Sequence, residues 1–399
     1  MLYRKMPKNG DELSILGFGC MRLPEKEDGL IDEERATKQV RYAIDNGINY
    51  VDTAWPYHMG QSEPFVGRAL SDGYREKVKL ATKLPSWLIE KREDMDKFLN
   101  AQLGKLRTDH IDYYLVHALV GELWDNVFGL GVAEFLDQAK ADGRIMNAGF
   151  SFHGSSEDFN RIVDAYDWDF CQIQYNFLDE KNQAGTAGLE YAASKGLGVV
   201  IMEPLRGGNL TKTVPQAVKE IWDEALVNRT PAEWAFRWVW NHPEVTVVLS
   251  GMNDEAHIRE NLKVAGQAYP HSLKDAELSL VKRVEQKYRE LMKVACTGCQ
   301  YCMPCPSGVN IPLCFEHYNN LTLADNPSGE KFMYAARLGG AVALGQPEFA
   351  SLCVQCGQCA EKCPQHIDIP GVLESVVEEL EGPDFEQRVT MAKQAFKQI

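Results

Sequence analysis

Ile111-Asp-Tyr-Tyr-Leu-Val-His117 is a short aromatic and β-branched run that ends on an ionisable side chain. Runs of this kind recur from residue 10 to about residue 290, separated by longer amphipathic stretches, as expected of repeated βα units on a parallel sheet. Seven further strands are expected at Leu13–Phe18, Asn49–Thr53, Val78–Lys83, Asn147–Phe152, Phe170–Tyr175, Val199–Glu203 and Val245–Ser250. Helix-like segments fall between them, among them Glu33–Asn46, Lys91–Leu106, Val132–Asp142, Ser156–Tyr166, Leu189–Lys195 and Pro231–Asn241. Eight strands with intervening helices predict an α/β fold in which the sheet closes into a (β/α)8 TIM barrel.

A barrel of this type needs roughly 250 residues, and the 399-residue chain leaves room for a second unit. Apolar residues at 45% and charged residues at 25% provide for a core and argue against disorder. The formal net charge of −15, with no concentrated basic run, repels phosphate backbones, so nucleic acid is not an expected partner. The polar N-terminus, Met1–Ser14, lacks the apolar segment of a secretory signal, and no stretch approaches the roughly 18 apolar residues of a membrane span. A soluble, cytoplasmic protein without a membrane partner is expected.

In a reducing compartment cysteines serve metal ligation or catalysis more often than disulfides. Of the 11 cysteines, only Cys20 and Cys171 precede residue 290, and nine fall between Cys296 and Cys363. Lys274–Val294 reads as a charged amphipathic helix leading into that region. Beyond it Cys305-Pro-Ser-Gly-Val-Asn-Ile-Pro312 repeats as Cys363-Pro-Gln-His-Ile-Asp-Ile-Pro370 at an offset of 58. The expected organisation is a barrel over 1–290, a cysteine-rich domain over 291–375 and a helical tail over 376–399; the segment after Pro370 reads as helical and acidic, with Val372, Leu373, Val376, Val377 and Leu380 on an apolar stripe.

Asp52, Lys83 and His117 sit where expected strands end, with Tyr57 just beyond Asp52. In a parallel barrel those ends open onto one face, where catalytic groups gather. Singly, each has an ordinary reading as a turn cap, a solvated charge or a structural histidine. Together they suit reduction of a carbonyl, in which negative charge builds on oxygen as hydride reaches carbon. A tyrosine, with a reference pKa near 10, is a poor acid at neutrality unless a close ammonium favours its phenolate. Lys83 can supply that charge, Asp52 can hold Lys83, and His117 can orient the substrate oxygen.

Residues 10 to about 265 resemble the aldo-keto reductase family. Gly17-Phe-Gly19-Cys20-Met21, Asp52-Thr-Ala-Trp-Pro-Tyr57, Thr82-Lys83 and Asp112-Tyr-Tyr-Leu-Val-His117 carry the likeness, followed by Gly149-Phe-Ser151, Gln172-Ile-Gln174-Tyr-Asn176, Glu203-Pro204-Leu205 and Arg259-Glu260-Asn261. The resemblance implies a catalytic tetrad of Asp52, Tyr57, Lys83 and His117. It also implies NADP or NAD bound without a Rossmann turn, consistent with the lack of a Gly-x-Gly-x-x-Gly stretch opening a helix. By the same likeness Gly19, Cys20, Met21 and Asp52 border the cofactor, and Ser151 and Gln172 hold its carboxamide. Met202, followed by Glu203 and Pro204, covers the nicotinamide where many relatives place an aromatic ring. Leu205, Arg206 and Gly208 pass near the pyrophosphate. Gly251 and His257 occupy positions where many relatives grip a 2′-phosphate with Lys and Arg, leaving Asn253, Glu260 and Asn261 as adenosine contacts. Trp55, Trp87, Trp124 and Phe128 are candidates to line an apolar substrate pocket, while Trp234, Trp238 and Trp240 are expected to pack a helix on the barrel.

The spacing Cys353-x-x-Cys356-x-x-Cys359-x-x-x-Cys363-Pro364 is that of ferredoxins holding a [4Fe–4S] cluster. Cys296-x-x-Cys299-x-x-Cys302-x-x-Cys305-Pro306 is one residue shorter before its last cysteine. Zinc is the alternative, although it needs only four ligands per site and no Cys-Pro repeat. With a helix expected near Lys331–Leu338, the domain resembles the helical ferredoxin modules of fumarate-reductase-type iron–sulfur subunits. If the ferredoxin exchange of ligands holds, Cys296, Cys299 and Cys302 join Cys363, and Cys353, Cys356 and Cys359 join Cys305, giving two clusters; one cluster in the second motif is the competitor. Cys314 stands outside the repeat and is expected to be a buried apolar residue.

These features predict an NAD(P)H-dependent carbonyl reductase or alcohol dehydrogenase acting on a small-molecule carbonyl or alcohol. Its clusters would serve electron transfer to a redox partner protein or redox sensing. The alternative is an electron-transfer or redox-sensing module that binds the cofactor with little turnover. Nicotinamide passes two electrons as hydride and a cluster passes one, so a direct wire between them is chemically awkward.

Overall fold

The computed structural model describes residues 1–211, 214–323, 327–340 and 346–396; the last three residues of the expected tail lie outside them. The chain divides into two compact units, Met1–Pro204 with Glu233–Lys274, and Leu205–Ala232 with Asp275–Ile399. Among the described residues no helix is long and apolar enough to cross a membrane.

The first unit starts with an antiparallel hairpin of β1 (Tyr3–Lys5) and β2 (Glu12–Ser14). Eight strands follow: β3 (Leu16–Gly19), β4 (Tyr50–Asp52), β5 (Lys79–Leu84), β6 (Ile111–Leu119), β7 (Ile145–Phe152), β8 (Phe170–Gln174), β9 (Gly198–Met202) and β10 (Val245–Ser250). Each pairs in parallel with the next, and β10 closes on β3. The barrel expected from the alternating runs is therefore present.

The one strand that differs in kind is the first. Leu13–Phe18 was expected as a single run, but Leu13 and Ser14 pair backwards with Arg4 and Tyr3, whereas Leu16–Phe18 pair forwards with Val248–Ser250. Ile15 is the corner between the two, because its amide donates to Leu2 O and its carbonyl accepts from Val248 N. Hydrophobicity alone does not reveal a change of partner.

The hairpin caps the N-terminal end of the barrel. Met6 and Leu13 pack into a buried cluster with Tyr50, Ala81, Tyr113, Leu115, Phe170, Val200, Val247 and Leu249. Asn9 donates from Nδ2 to Tyr113 Oη at 3.0 Å and Asn147 Oδ1 at 2.8 Å, and Tyr113 Oη donates to Asp11 at 2.8 Å. Every residue of β6 is buried, and a fully buried large apolar side chain stabilises by about 1.5–3 kcal/mol. Gly149 is required by packing, since a Cβ there would lie 2.5 Å from the Phe170 ring.

Side chains alternate along a strand, so positions two apart share a face. Tyr50, Ala81, Tyr113 with Leu115, and Phe170 all lie in the inner cluster. The same parity turns Asp52, Lys83, His117 and Gln172 inward, one step nearer the C-terminal rim. Tyr114, of opposite parity, faces the surrounding helices and donates to Gln102 Oε1 at 2.8 Å. Sequence pattern and pleat thus place three ionisable groups inside one rim. Trp240 packs its helix on the barrel as expected, with Nε1 donating to Ile15 O at 2.9 Å.

The second unit contains the helix Asp275–Leu291, the helices Ile311–Leu323, Pro327–Leu338 and Ile369–Val376, a wide π turn Val377–Glu381 and the helix Phe385–Phe396. The helix Asp275–Leu291 falls within this unit together with Leu205–Ala232 and meets described residues of that segment. Arg229 meets Glu277 at 2.6 Å, and Arg283 clamps both oxygens of Glu224 at 2.5 and 2.6 Å. Phe315, Tyr334, Leu338, Leu373, Val376 and Leu380 form its core, with Cys314 fully buried among them. Val372 and Val377 of the expected stripe pack at the edge of that core.

Candidate active site and cluster cavities

Lys83 Nζ lies 2.7 and 2.8 Å from the two carboxylate oxygens of Asp52 and 2.7 Å from Thr53 O. Lys83 is fully buried and Asp52 is 2% exposed. Burial disfavours both charges, pushing the Asp52 carboxyl up and the Lys83 ammonium down from their ordinary values, while the pairing opposes each shift. Tyr57 opens a 3₁₀ turn, Tyr57–Gly60, five residues beyond Asp52, and is half-buried. Its ring centroid is 5.1 Å from Lys83 Nζ and 6.2 Å from the His117 ring, which meets it edge to face at 80°. The structure thus brings all four residues of the expected tetrad together.

Burial, then Lys83, then His153 hold the His117 imidazole well below its usual range, so it is neutral. A neutral imidazole can donate one N–H and accept at the other nitrogen. The backbone leaves regular strand geometry here: pairing with β7 shifts between Val116 and Leu119, and Ala118 has φ +54°. Such a bulge re-aims a side chain, and a non-glycine residue in the left-handed region is a typical feature of functional sites. Ser86 Oγ donates to His117 O at 2.6 Å, and Ala118 N donates to Ser151 Oγ at 2.7 Å, tying this segment to the turn after β5 and to β7.

Ser151 of β7 and Gln172 of β8 lie level with each other in the pairing register, and Met202 ends β9. Ser151 and Gln172 are each 1% exposed. Gln172 Nε2 approaches Met202 Sδ at 3.4 Å. Gln172 Oε1 is buried and has no hydrogen-bond partner among the described residues. A buried amide oxygen in that state is an unmet acceptor. Gly19 lies against Ser250 and Gly251, where a Cβ would be 3.5 Å from Ser250 O. Cys20 is buried beside Asp52 and Lys83, and Met21 is exposed. Asn261 is buried and donates to Ser250 Oγ at 3.2 Å, whereas Gly251, Asn253 and His257 are exposed and Glu260 is half-buried.

Leu205, Arg206 and Gly208, expected at a pyrophosphate, belong to the second unit. Arg206 is 2% exposed, with Nη2 donating to Ala295 O at 2.9 Å and Nη1 directed at Met292 Sδ at 3.2 Å. No motif in the sequence pointed to these partners.

Of the four aromatics proposed for a substrate pocket, Trp87 stands 5.1 Å from the His117 ring. Trp124, in the helix Gly121–Gly129, is buried against Trp168 and Phe128. Trp55 packs edge-on to Phe98 under Lys105. The residue that sequence reasoning missed is His153. It follows β7 directly, is 3% exposed, and is held down to about 4 by burial. Its position one residue past a strand end was the available signal.

In the second unit the cysteines surround two cavities. One, about 310 Å3 including its open mouth, is lined by Cys296, Cys299, Cys302 and Cys363. The other, about 400 Å3 on the same measure, is lined by Cys353, Cys356, Cys359 and Cys305, with Cys302 on the wall between them. Gly298 N donates to Cys296 Sγ and Gln355 N to Cys353 Sγ, both at 3.4 Å. Left-handed residues recur in step, Gly298 with Gln355 and Gln300 with Gly357. The duplicated motif therefore folds as a duplicated loop. Among the described residues no three ligating side chains converge as a single ion requires; thiols spread around a cavity suit the corners of a larger cluster.

Residues 15–285 match the Aldo/keto reductase family, and residues 295–367 match the 4Fe-4S dicluster domain. Aldo-keto reductase YhdN of Bacillus subtilis is 35% identical over 125 residues, 29% of this chain and 38% of that protein. The NADH-specific methylglyoxal reductase of Escherichia coli is 24% identical over 323 residues, 69% of this chain and 95% of that protein. In fold, the holo form of aldo-keto reductase AKR11C1 from Bacillus halodurans is similar with a TM-score of 0.60 at 24% identity, covering 71% of this chain and 96% of that one.

Proposed function

Because the chain belongs to the aldo/keto reductase family, with a C-terminal 4Fe-4S domain, we propose that it reduces small carbonyl compounds at Tyr57 and holds two [4Fe–4S] clusters. The observation that carries the first part is the Lys83 ammonium, pinned by Asp52 and 5.1 Å from the Tyr57 ring.

When bound, a reduced nicotinamide supplies the hydride for the carbonyl carbon. The chain's own residues handle the oxygen. Neutral His117 donates a hydrogen bond to the carbonyl oxygen and sets its direction. Tyr57 gives up its phenolic proton to that oxygen as charge develops, and Lys83 stabilises the phenolate left behind. Asp52 keeps Lys83 charged and immobile. For the carboxamide, Gln172 Oε1 is an acceptor with no other partner. Ser151 Oγ accepts from Ala118 N and keeps its own proton to donate. Those two complement an amide's donor and acceptor.

Exposed His257 and Gly251, in place of basic residues, favour a cofactor without a 2′-phosphate. The Escherichia coli relative is described as NADH-specific. For the clusters, the cavity linings support the crossed assignment, Cys296, Cys299, Cys302 and Cys363 for one and Cys353, Cys356, Cys359 and Cys305 for the other. Cys356 and its neighbour Val354 are exposed, which favours one-electron exchange with an external redox protein.

Steady-state oxidation of NADH and NADPH by the purified holoprotein, over aldehydes headed by methylglyoxal, tests the reductase reading. Tyr57→Phe should lower kcat at least a hundredfold with cofactor affinity unchanged; undiminished turnover would end the assignment. A redox-sensing module with little turnover is the second reading, favoured by the exposed Cys356 edge. It requires the wild type itself to be nearly inactive on that panel.

A further inference from the structure

Each cysteine loop is entered through a segment pinned by buried polar side chains, and the pins differ in charge. Before Cys296, Asn319 accepts from Lys293 N and Val294 N at 2.9 and 3.0 Å and donates to Val294 O at 2.8 Å. Arg206 then donates to Ala295 O at 2.9 Å, and Asn209 to Cys296 O at 3.3 Å. Before Cys353, Tyr334 Oη accepts from Ala350 N at 3.0 Å, and Glu381 Oε1 accepts from Tyr334 Oη at 2.7 Å and from Ser351 N at 3.1 Å. Glu381 ends the wide π turn and is 4% exposed; Arg206 is 2% exposed.

We propose that Arg206 and Glu381 tune the two clusters in opposite senses, Arg206 raising the reduction potential of the cluster in the Cys296–Cys299–Cys302–Cys363 cavity and Glu381 lowering that of the other. The inference rests on the two-cluster reading above. A [4Fe–4S] cluster gains one negative charge on reduction, so a buried cation stabilises its reduced form and a buried anion its oxidised form. Charges this far from solvent are weakly screened. Both are positioning residues that grip the peptide leading into the first cysteine of each loop, one through a guanidinium and the other through a carboxyl group. The pairing gives otherwise duplicated loops distinct affinities for an electron, so that one electron entering the domain has a preferred resting place.

The test uses the full-length holoprotein, purified without oxygen, with iron and sulfide counted first. Eight irons per chain are expected, and four would overturn the two-cluster reading itself. With eight present, a potentiometric titration followed by EPR should resolve two waves. Arg206→Gln should move one wave to lower potential and leave the other in place. Glu381→Gln should move the other wave to higher potential, and Arg206→Lys should restore the wild-type position. Both variants shifting the same wave, shifts of the same sign, or no shift with eight irons bound would overturn the proposal. Asn319→Asp adds a carboxylate beside the first loop without touching Arg206, and covers the case in which Arg206→Gln fails to load iron. It should lower the wave assigned to Arg206, and a rise or a change in the other wave counts against the proposal.

Discussion

Lys83 commits three short contacts to Asp52 and Thr53, two of them to the paired oxygens of a single carboxylate. All three ammonium protons have partners in the barrel wall, so its charge reaches Tyr57 across 5.1 Å to the ring rather than through one of those bonds. Tyr57 therefore has a fixed ammonium beside its ring.

Replacing Asp52 with Asn should harm both stability and turnover. The buried ammonium would lose its counter-charge, and breaking a buried pair by removing one partner costs about 3–5 kcal/mol. Urea denaturation should show that loss, and kcat should fall as the lysine gives up its proton. A variant as stable as the wild type would mean that the pair is solvated in solution.

Acid should destabilise the barrel over a defined window. His117 and His153 are kept neutral in the folded protein, His153 down to about 4, in both cases chiefly by burial, whereas an unfolded imidazole titrates near 6.5. Below about 6.5 the unfolded chain binds protons that the folded chain refuses, so stability is full above that pH and declines toward 4. His153 alone accounts for on the order of 3 kcal/mol across that interval. Thermal melts at pH 7 and pH 5 check this. His153→Gln should show a shallower decline between them, and an unchanged slope would assign the acid sensitivity to other groups.

His257→Arg should improve NADPH binding relative to NADH. A charge-assisted contact to a phosphate is worth about 1.5–3 kcal/mol, so the ratio of dissociation constants should move by about tenfold or more. Quenching of protein fluorescence by each cofactor measures it. An unaltered ratio would place the adenosine end away from this exposed helix position.

Cys363→Ser should impair the cluster of the first motif although Cys363 belongs to the second. If the cavity linings reflect ligation, the EPR spectrum it leaves should match that of Cys299→Ser and differ from that of Cys356→Ser. The reverse match would mean that each motif serves its own cluster.

The barrel was legible because burial imposes a period of two on each strand. Asp52, Lys83 and His117 share parity with Tyr50, Ala81 and Leu115, and that pattern is visible in the residues themselves. The cysteine spacing was equally local. Ile15 was not legible, since a turn from antiparallel to parallel pairing leaves no mark on a continuous apolar run. Arg206 was expected near a pyrophosphate from its place in a motif, but its contacts to Met292 and Ala295 join segments nearly ninety positions apart. The same holds for Asp275–Leu291, whose charged face gave no sign that it meets Glu224 and Arg229. Long-range partners of polar side chains depend on the finished fold.

The hairpin at the barrel floor has a kinetic consequence. With Met6 and Leu13 packed into the core at the end opposite Tyr57, reactants and products of the proposed reaction would share the C-terminal rim. Departure of one molecule and arrival of the next then compete for a single opening. On the proposed reading, in which Tyr57 gives up the proton, traffic through that opening limits turnover once proton transfer is the faster step.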